Sequence, residues 1–163
     1  MEAMDLKSGA EISKCKDYRY ALWRTWDEEK PRVVFVCLNP STADENINDP
    51  TLNKCIRYAK SWDNGKYGGV LILNLFAFRA TKPANMKKAD DPIGTDNNNR
   101  LRKLPRTTDL IVAAWGNHGA FNRRSKVVLE MLPDVHYLKL NKTGEPSHPL
   151  YLKKDIKPIP MVK

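Results

Sequence analysis

The chain has 163 residues, 41% hydrophobic and 29% charged, which suits one domain with one substantial core and argues against disorder. Lys and Arg number 28 against 19 Asp and Glu, a formal net charge of +9; this favours polyanionic partners, since each phosphate neutralised releases condensed counterions, although a solvated basic surface without a partner is the plainer reading. The longest apolar runs, such as Leu71–Leu73 and Leu110–Trp115, fall far short of the ~20 residues of a membrane span.

No apolar signal-peptide core follows the N-terminus, where Glu2, Asp5 and Lys7 stand, so a cytoplasmic protein is expected. Residues 1–17 read as a weakly ordered lead-in and residues 18–163 as one domain. The aromatic-rich stretch Tyr18–Trp26 packs at the domain edge as either a strand or a short helix. Val33–Leu38 is a continuous apolar run rich in β-branched residues, the pattern of a strand covered on both faces. Asp49 and Pro50 open a helix as N-cap and first helical residue, with Leu52, Cys55, Ile56, Ala59 and Trp62 at helical spacing and Gly65 beyond its end. Val70–Leu73 is a second strand leading into Asn74. A long polar connection with Pro83 and Pro92 leads to a basic helix from Thr95 to Leu104. Leu110–Ala114 is a third strand, and Asn122–Leu132 a helix with Val127, Val128, Met131 and Leu132 inward. Val135–Leu140 is a fourth strand, with Val135, Tyr137 and Lys139 on one face.

This alternation predicts an α/β fold, a three-layer α/β/α sandwich around a central four-stranded, mainly parallel sheet with right-handed crossovers. In such folds ligands bind beyond the carboxyl ends of the strands, near the point where strand order reverses. The four ends read NPSTAD (Asn39–Asp44), NLFAFRAT (Asn74–Thr81), WGNHG (Trp115–Gly119) and NKTGEPSHPLY (Asn141–Tyr151). Four ends this rich in Asn, His, Ser, Thr and aromatics predict a polar pocket at one edge of the sheet.

Phosphate-loop, dinucleotide, nucleophile-elbow and zinc-deaminase motifs are all missing. Cys15, Cys37 and Cys55 form no CxxC pair, and His118, His136 and His148 are widely spaced. No disulfide framework, metal site, iron–sulfur cluster or other cofactor is indicated. Basic residues are spread along the chain, from Arg79 through Arg106 to Arg124, as on a folded basic face rather than a tail.

The segments FVCLNPSTAD, GGVLILNLFAFRAT, LIVAAWGNHGA and GEPSHPLYL resemble the bacterial and phage family termed domain of unknown function 1643, from about Tyr18 onward. In order and spacing they are also similar to the uracil-DNA glycosylase superfamily. There one strand runs into an Asp-Pro or Asn-Pro loop, a second ends in a base-reading Asn, a third in a Trp-Gly or Leu-Gly turn, and a last loop carries His-Pro-Ser or Asn-Pro-Ser. The resemblance implies a monomeric, monofunctional DNA N-glycosylase that acts on an extruded base without cofactor, metal or membrane. Asn39 then corresponds to the water-positioning residue; an Asn-Pro turn capping its own backbone is the competing account. Asp44 or Asp49 is the general base if Asn39 does not suffice, although Asp49 also reads as a helix cap and Asp44 as a turn residue.

His148 matches the loop in which a neutral imidazole donates to the base oxygen, against a surface histidine before a proline turn. Asn74 reads the pyrimidine edge or, as a buried amide, ties loops together. Pro40, Phe76 and Phe78 are further base-binding candidates, one Phe stacking on the base and the other in the core. DNA-contacting candidates are Ser41, Asn117, His118 and Ser147 in the strand-end loops, and Arg79, Arg123, Arg124 and Lys142 as phosphate partners. Leu150 or Leu152 is the wedge that fills the space of a flipped base. Leu150 stands where most superfamily members have a phosphate-holding Ser, a departure that bears on the DNA grip. The first loop has Glu-Asn-Ile-Asn after Asp44 in place of the usual stacking aromatic, which, with the family's occurrence in phages, makes a modified base a candidate substrate. A non-catalytic nucleic-acid-binding module with this fold, or an enzyme on free nucleosides or nucleotides, are the other readings.

Overall fold

A run of five apolar residues, Val33–Cys37, forms β3 at the centre of the sheet, and every one of them is buried. The computed structural model describes residues 7–104 and 110–162; the start of the expected lead-in (residues 1–6) and Arg106 lie outside them. Successive β3 side chains enter opposite layers. Val34 and Val36 meet Met86, Leu101 and Val128 on one face, while Val33, Phe35 and Cys37 meet Leu52, Cys55 and Ala59 on the other. Those partners belong to α2 (Pro83–Lys87), α3 (Asn97–Arg102) and α4 (Arg124–Met131) on the first face and to α1 (Pro50–Ser61) on the second. The architecture is therefore α/β with helices on both sides of the sheet.

The expected strands appear as β3, β4 (Gly69–Asn74), β5 (Leu110–Ala113) and β6 (His136–Tyr137). They are parallel neighbours in the order β4-β3-β5-β6. The sheet is nevertheless seven-stranded and mixed, correcting the expected four. Residues 7–12 of the expected lead-in form β1 (Lys7–Ile12), and the Tyr18–Trp26 stretch is a strand, β2 (Arg19–Thr25). Both join antiparallel at the β4 edge. At the other edge β7 (Ile159–Pro160) pairs antiparallel with β6.

Local chemistry sets most boundaries. Asp49 caps α1, its Oδ1 accepting from Leu52 N at 2.8 Å, with Pro50 in the first turn. α4 starts at Arg124 rather than Asn122, because Asn122 and Arg123 are left-handed (φ 54° and 57°) at the end of a 3-10 turn over Asn117–Arg123. Val127, expected inward, is exposed. β6 keeps only two residues of the expected Val135–Leu140, and Lys139 is exposed. After the last cleft loop the chain straps α1. Tyr58 Oη donates to the Lys153 carbonyl (2.6 Å) and Trp62 Nε1 to that of Ile156 (2.9 Å) before the chain enters β7. No helix among the described residues is long and apolar enough to cross a membrane.

Candidate functional site

From β3 the chain moves to β4 on one side and then to β5 on the other, so strand order reverses across β3. A cleft of about 890 Å³ opens there, at the carboxyl ends, within the ~300–1,000 Å³ of small-molecule sites. Asn39 from the loop after β3, Asn74 at the end of β4, Gly116 after β5 and His148 from the loop beyond β6 all line it. The loops are tied to one another. Asn39 Nδ2 donates to the carbonyls of Ala80 (2.9 Å), Pro40 (3.1 Å) and Phe78 (3.4 Å), while Ala80 N donates to Pro40 O. Gly116 N donates to Pro146 O (2.8 Å), and Asn117 Oδ1 accepts from Asn141 Nδ2 and Thr143 Oγ1.

Three carbonyls around the Asn39 nitrogen identify its amide orientation. Its Oδ1 accepts no hydrogen bond among the described residues. The turn-capping account of Asn39 therefore describes its nitrogen and leaves its oxygen free to hold a water.

Asn74 is 1% exposed, yet neither Oδ1 nor Nδ2 has a partner among the described residues. Each such unpaired buried group costs about 1–3 kcal/mol. The loop-tying role considered for Asn74 belongs to Asn97, whose Nδ2 donates to the Asn74 and Leu75 carbonyls at 2.9 and 3.0 Å. Asn97 was not anticipated, since the first Asn of the run Asn97-Asn98-Asn99 carries no signal of its own.

His148 Nδ1 accepts from Leu150 N at 3.2 Å, which puts the imidazole proton on Nε2. Burial holds the group below its ordinary value, the Asp49 carboxylate opposing. A neutral ring with an Nε2–H donor therefore faces the cleft at neutral pH.

Other predicted residues divide. Ser41, Asn117, His118, Ser147, Leu150 and Leu152 line the cleft; His118 Nδ1 accepts from Lys87 Nζ (3.0 Å), and Ser147 Oγ bonds Asn141 Oδ1. Asp44 does not reach it. Its Oδ1 accepts from Asn46 N and Ile47 N, both at 2.8 Å, and these bonds hold the carboxyl below its ordinary range, as in a turn residue rather than a base. Phe76 lies in the core against Phe121, and Phe78 packs edge-on against Tyr18 outside the cleft, so neither is placed to stack on a base there. Pro40 is buried, and only its carbonyl serves the loops.

Arg124, considered a phosphate partner, is 3% exposed and donates to Leu75 O and Asn98 Oδ1. Arg79 donates to the Lys16 carbonyl beside a neighbouring hollow. Arg123 and Lys142 are exposed and outside the cleft lining.

Among the cleft residues that were missed, Tyr151 and Arg19 stand out. Tyr151, 89% exposed, stands at the rim. Arg19, 3% exposed, lines the cleft; burial pulls its guanidinium down to about 10, Asp49 opposing. Nothing in the aromatic stretch around Arg19 marks it as different from a surface cation. Asp49 is the carboxylate that lines the cleft, and among the described residues no cluster of His, Cys, Asp and Glu could hold a metal ion.

The model of a family described as Protein of unknown function (DUF1643) matches residues 19–150. The chain belongs to that family. The matched span contains Arg19, Asn39, Asn74 and His148, and stops just before Tyr151 and Leu152 at the rim. Searches of curated proteins and of solved structures found no match.

Proposed function

We propose that this cleft receives a nucleobase extruded from DNA and hydrolyses its N-glycosidic bond, after the manner of the uracil-DNA glycosylases that the strand-end motifs resemble. The observation that carries this reading is the meeting of Asn39, Asn74 and His148, remote in sequence, in one cleft. Asn74 pairs its donor and acceptor with a pyrimidine edge. Asn39 Oδ1 accepts from a water held below the sugar carbon. An amide takes no proton at neutral pH, so the carbon–nitrogen bond breaks ahead of attack. The base departs with the bonding electrons. The water oxygen then bonds to the sugar carbon and gives up a proton to solvent, while the departed base takes one up from solvent, leaving a sugar hydroxyl and a neutral free base. His148 Nε2–H donates to the base oxygen as negative charge gathers there, a contribution of about 3–4 kcal/mol for one preorganised donor.

The test is incubation with oligonucleotides carrying uracil, hydroxymethyluracil and other modified bases, with mass spectrometry for free base. Release that is lost in Asn39→Ala and His148→Ala is expected. A second reading, a nucleic-acid-binding module without chemistry, draws on two observations: Asp49, the carboxylate in the cleft, is engaged as a helix cap, and Leu150 follows His148-Pro149 where the superfamily has Ser. Salt-dependent DNA binding with no base released from any substrate would decide for it.

A further inference from the structure

Arg19 owes its place to an irregularity in the sheet. In the β1–β2 register Ala10 faces Leu22, Glu11 faces Ala21, and Ile12 faces Arg19, so Tyr20 is an extra residue on β2. Such a bulge re-aims the side chains beyond it. Arg19 and Leu22, three residues apart, both line the cleft. Arg19 Nη1 donates to the Ala43 carbonyl at 2.9 Å, but its Nε has no partner, and no ion pair joins it to a carboxylate among the described residues. Its immediate polar neighbours explain little of a buried full charge. Asp49, which also lines the cleft, attracts it without bonding to it, and Arg24 and Arg79 repel it. A buried cation left this way awaits an acceptor, and the cleft is where one can arrive.

We propose that Arg19 makes the cleft selective for a ligand with an oxyanion at its buried end, a carboxylate on a nucleobase or the phosphate of a nucleotide. The base arm rests on the reading of the cleft as a base site; the oxyanion itself does not. Asn74 would read the ring edge while Arg19 takes the charged substituent.

The experiment is calorimetric titration of the full chain with uracil, 5-carboxyuracil, uridine, uridine 5′-monophosphate and inorganic phosphate. An anionic member should bind tighter than its neutral counterpart by roughly 10–100-fold, as for a hydrogen bond to a charged group. Arg19→Gln should abolish the preference and Arg19→Lys keep part of it. A preference that survives Arg19→Gln belongs to the overall charge and overturns the proposal, as does equal binding of each pair by the wild-type chain. If Arg19→Gln fails to fold, the wild-type pairs and Arg19→Lys decide. Uracil binding without anion preference sinks the role of Arg19 and spares the base site. Arg19-dependent binding of phosphate, with no base bound, does the reverse. Failure of all five probes sinks both.

Discussion

Burying an amide with neither polar atom paired costs stability, and Asn74 bears that cost at the end of β4. Replacing it with an apolar side chain of similar size removes the unpaired groups. Asn74→Leu should therefore raise the unfolding free energy by about 1–3 kcal/mol while ending base release, as read by urea denaturation alongside the oligonucleotide assay. A drop in stability would make Asn74 a structural residue. Such a trade separates Asn74 from Asn97, which holds two carbonyls. At this scale the placement of Asn39, Asn74 and His148 in one cleft was legible, because each ends an apolar run or precedes a proline at a strand-end loop. Arg19 was not, because its burial depends on a bulge that no local pattern announces. Phe76 and Phe78 misled for the opposite reason: aromatics beside a strand end are first of all core.

At the scale of the element, the loop from Glu145 to Leu152 depends on a single proton. Protonation at Nδ1 would set a hydrogen against the Leu150 N–H that His148 now accepts. Because the folded value lies below the ordinary ~6.5 of an unfolded histidine, the folded loop disfavours the proton. Its stabilisation is complete above about 6.5 and is lost as pH falls from there through the folded value. Exchange protection of the Leu150 amide should fall over that window and become flat in His148→Gln, with a residual slope in global stability from His136, whose value burial also lowers. A Leu150 amide indifferent to pH would remove the tautomer assignment.

Whole elements were most legible where a buried run is apolar throughout. β3, β4 and β5 are unbroken apolar runs. β1 (KSGAEI) is polar and partly exposed, β7 is two residues with a proline, and β2 hides two buried arginines, Arg19 and Arg24, among its aromatics.

Over the whole molecule, the layer between the sheet and α1 closes around two thiols. Cys37 and Cys55 are buried, Cys37 pushed up to about 12 and Cys55 well above its ordinary value by burial, whereas Cys15 is exposed. A thiolate-specific reagent should titrate one of the three cysteines in the native protein at pH 8 and all three after denaturation. Rapid native reaction of Cys55, which unlike Cys37 does not line the cleft, would show that this layer opens.

The strap that follows the cleft has a practical consequence. The family match ends at residue 150, but the peptide beyond it supplies acceptors for Tyr58 and Trp62 and covers the open side of β6. A fragment trimmed to the matched span would bare two aromatic side chains and an unprotected strand edge, the usual invitation to aggregation. The homology boundary is thus not a folding boundary, and any dissection of this protein should keep the stretch through residue 162.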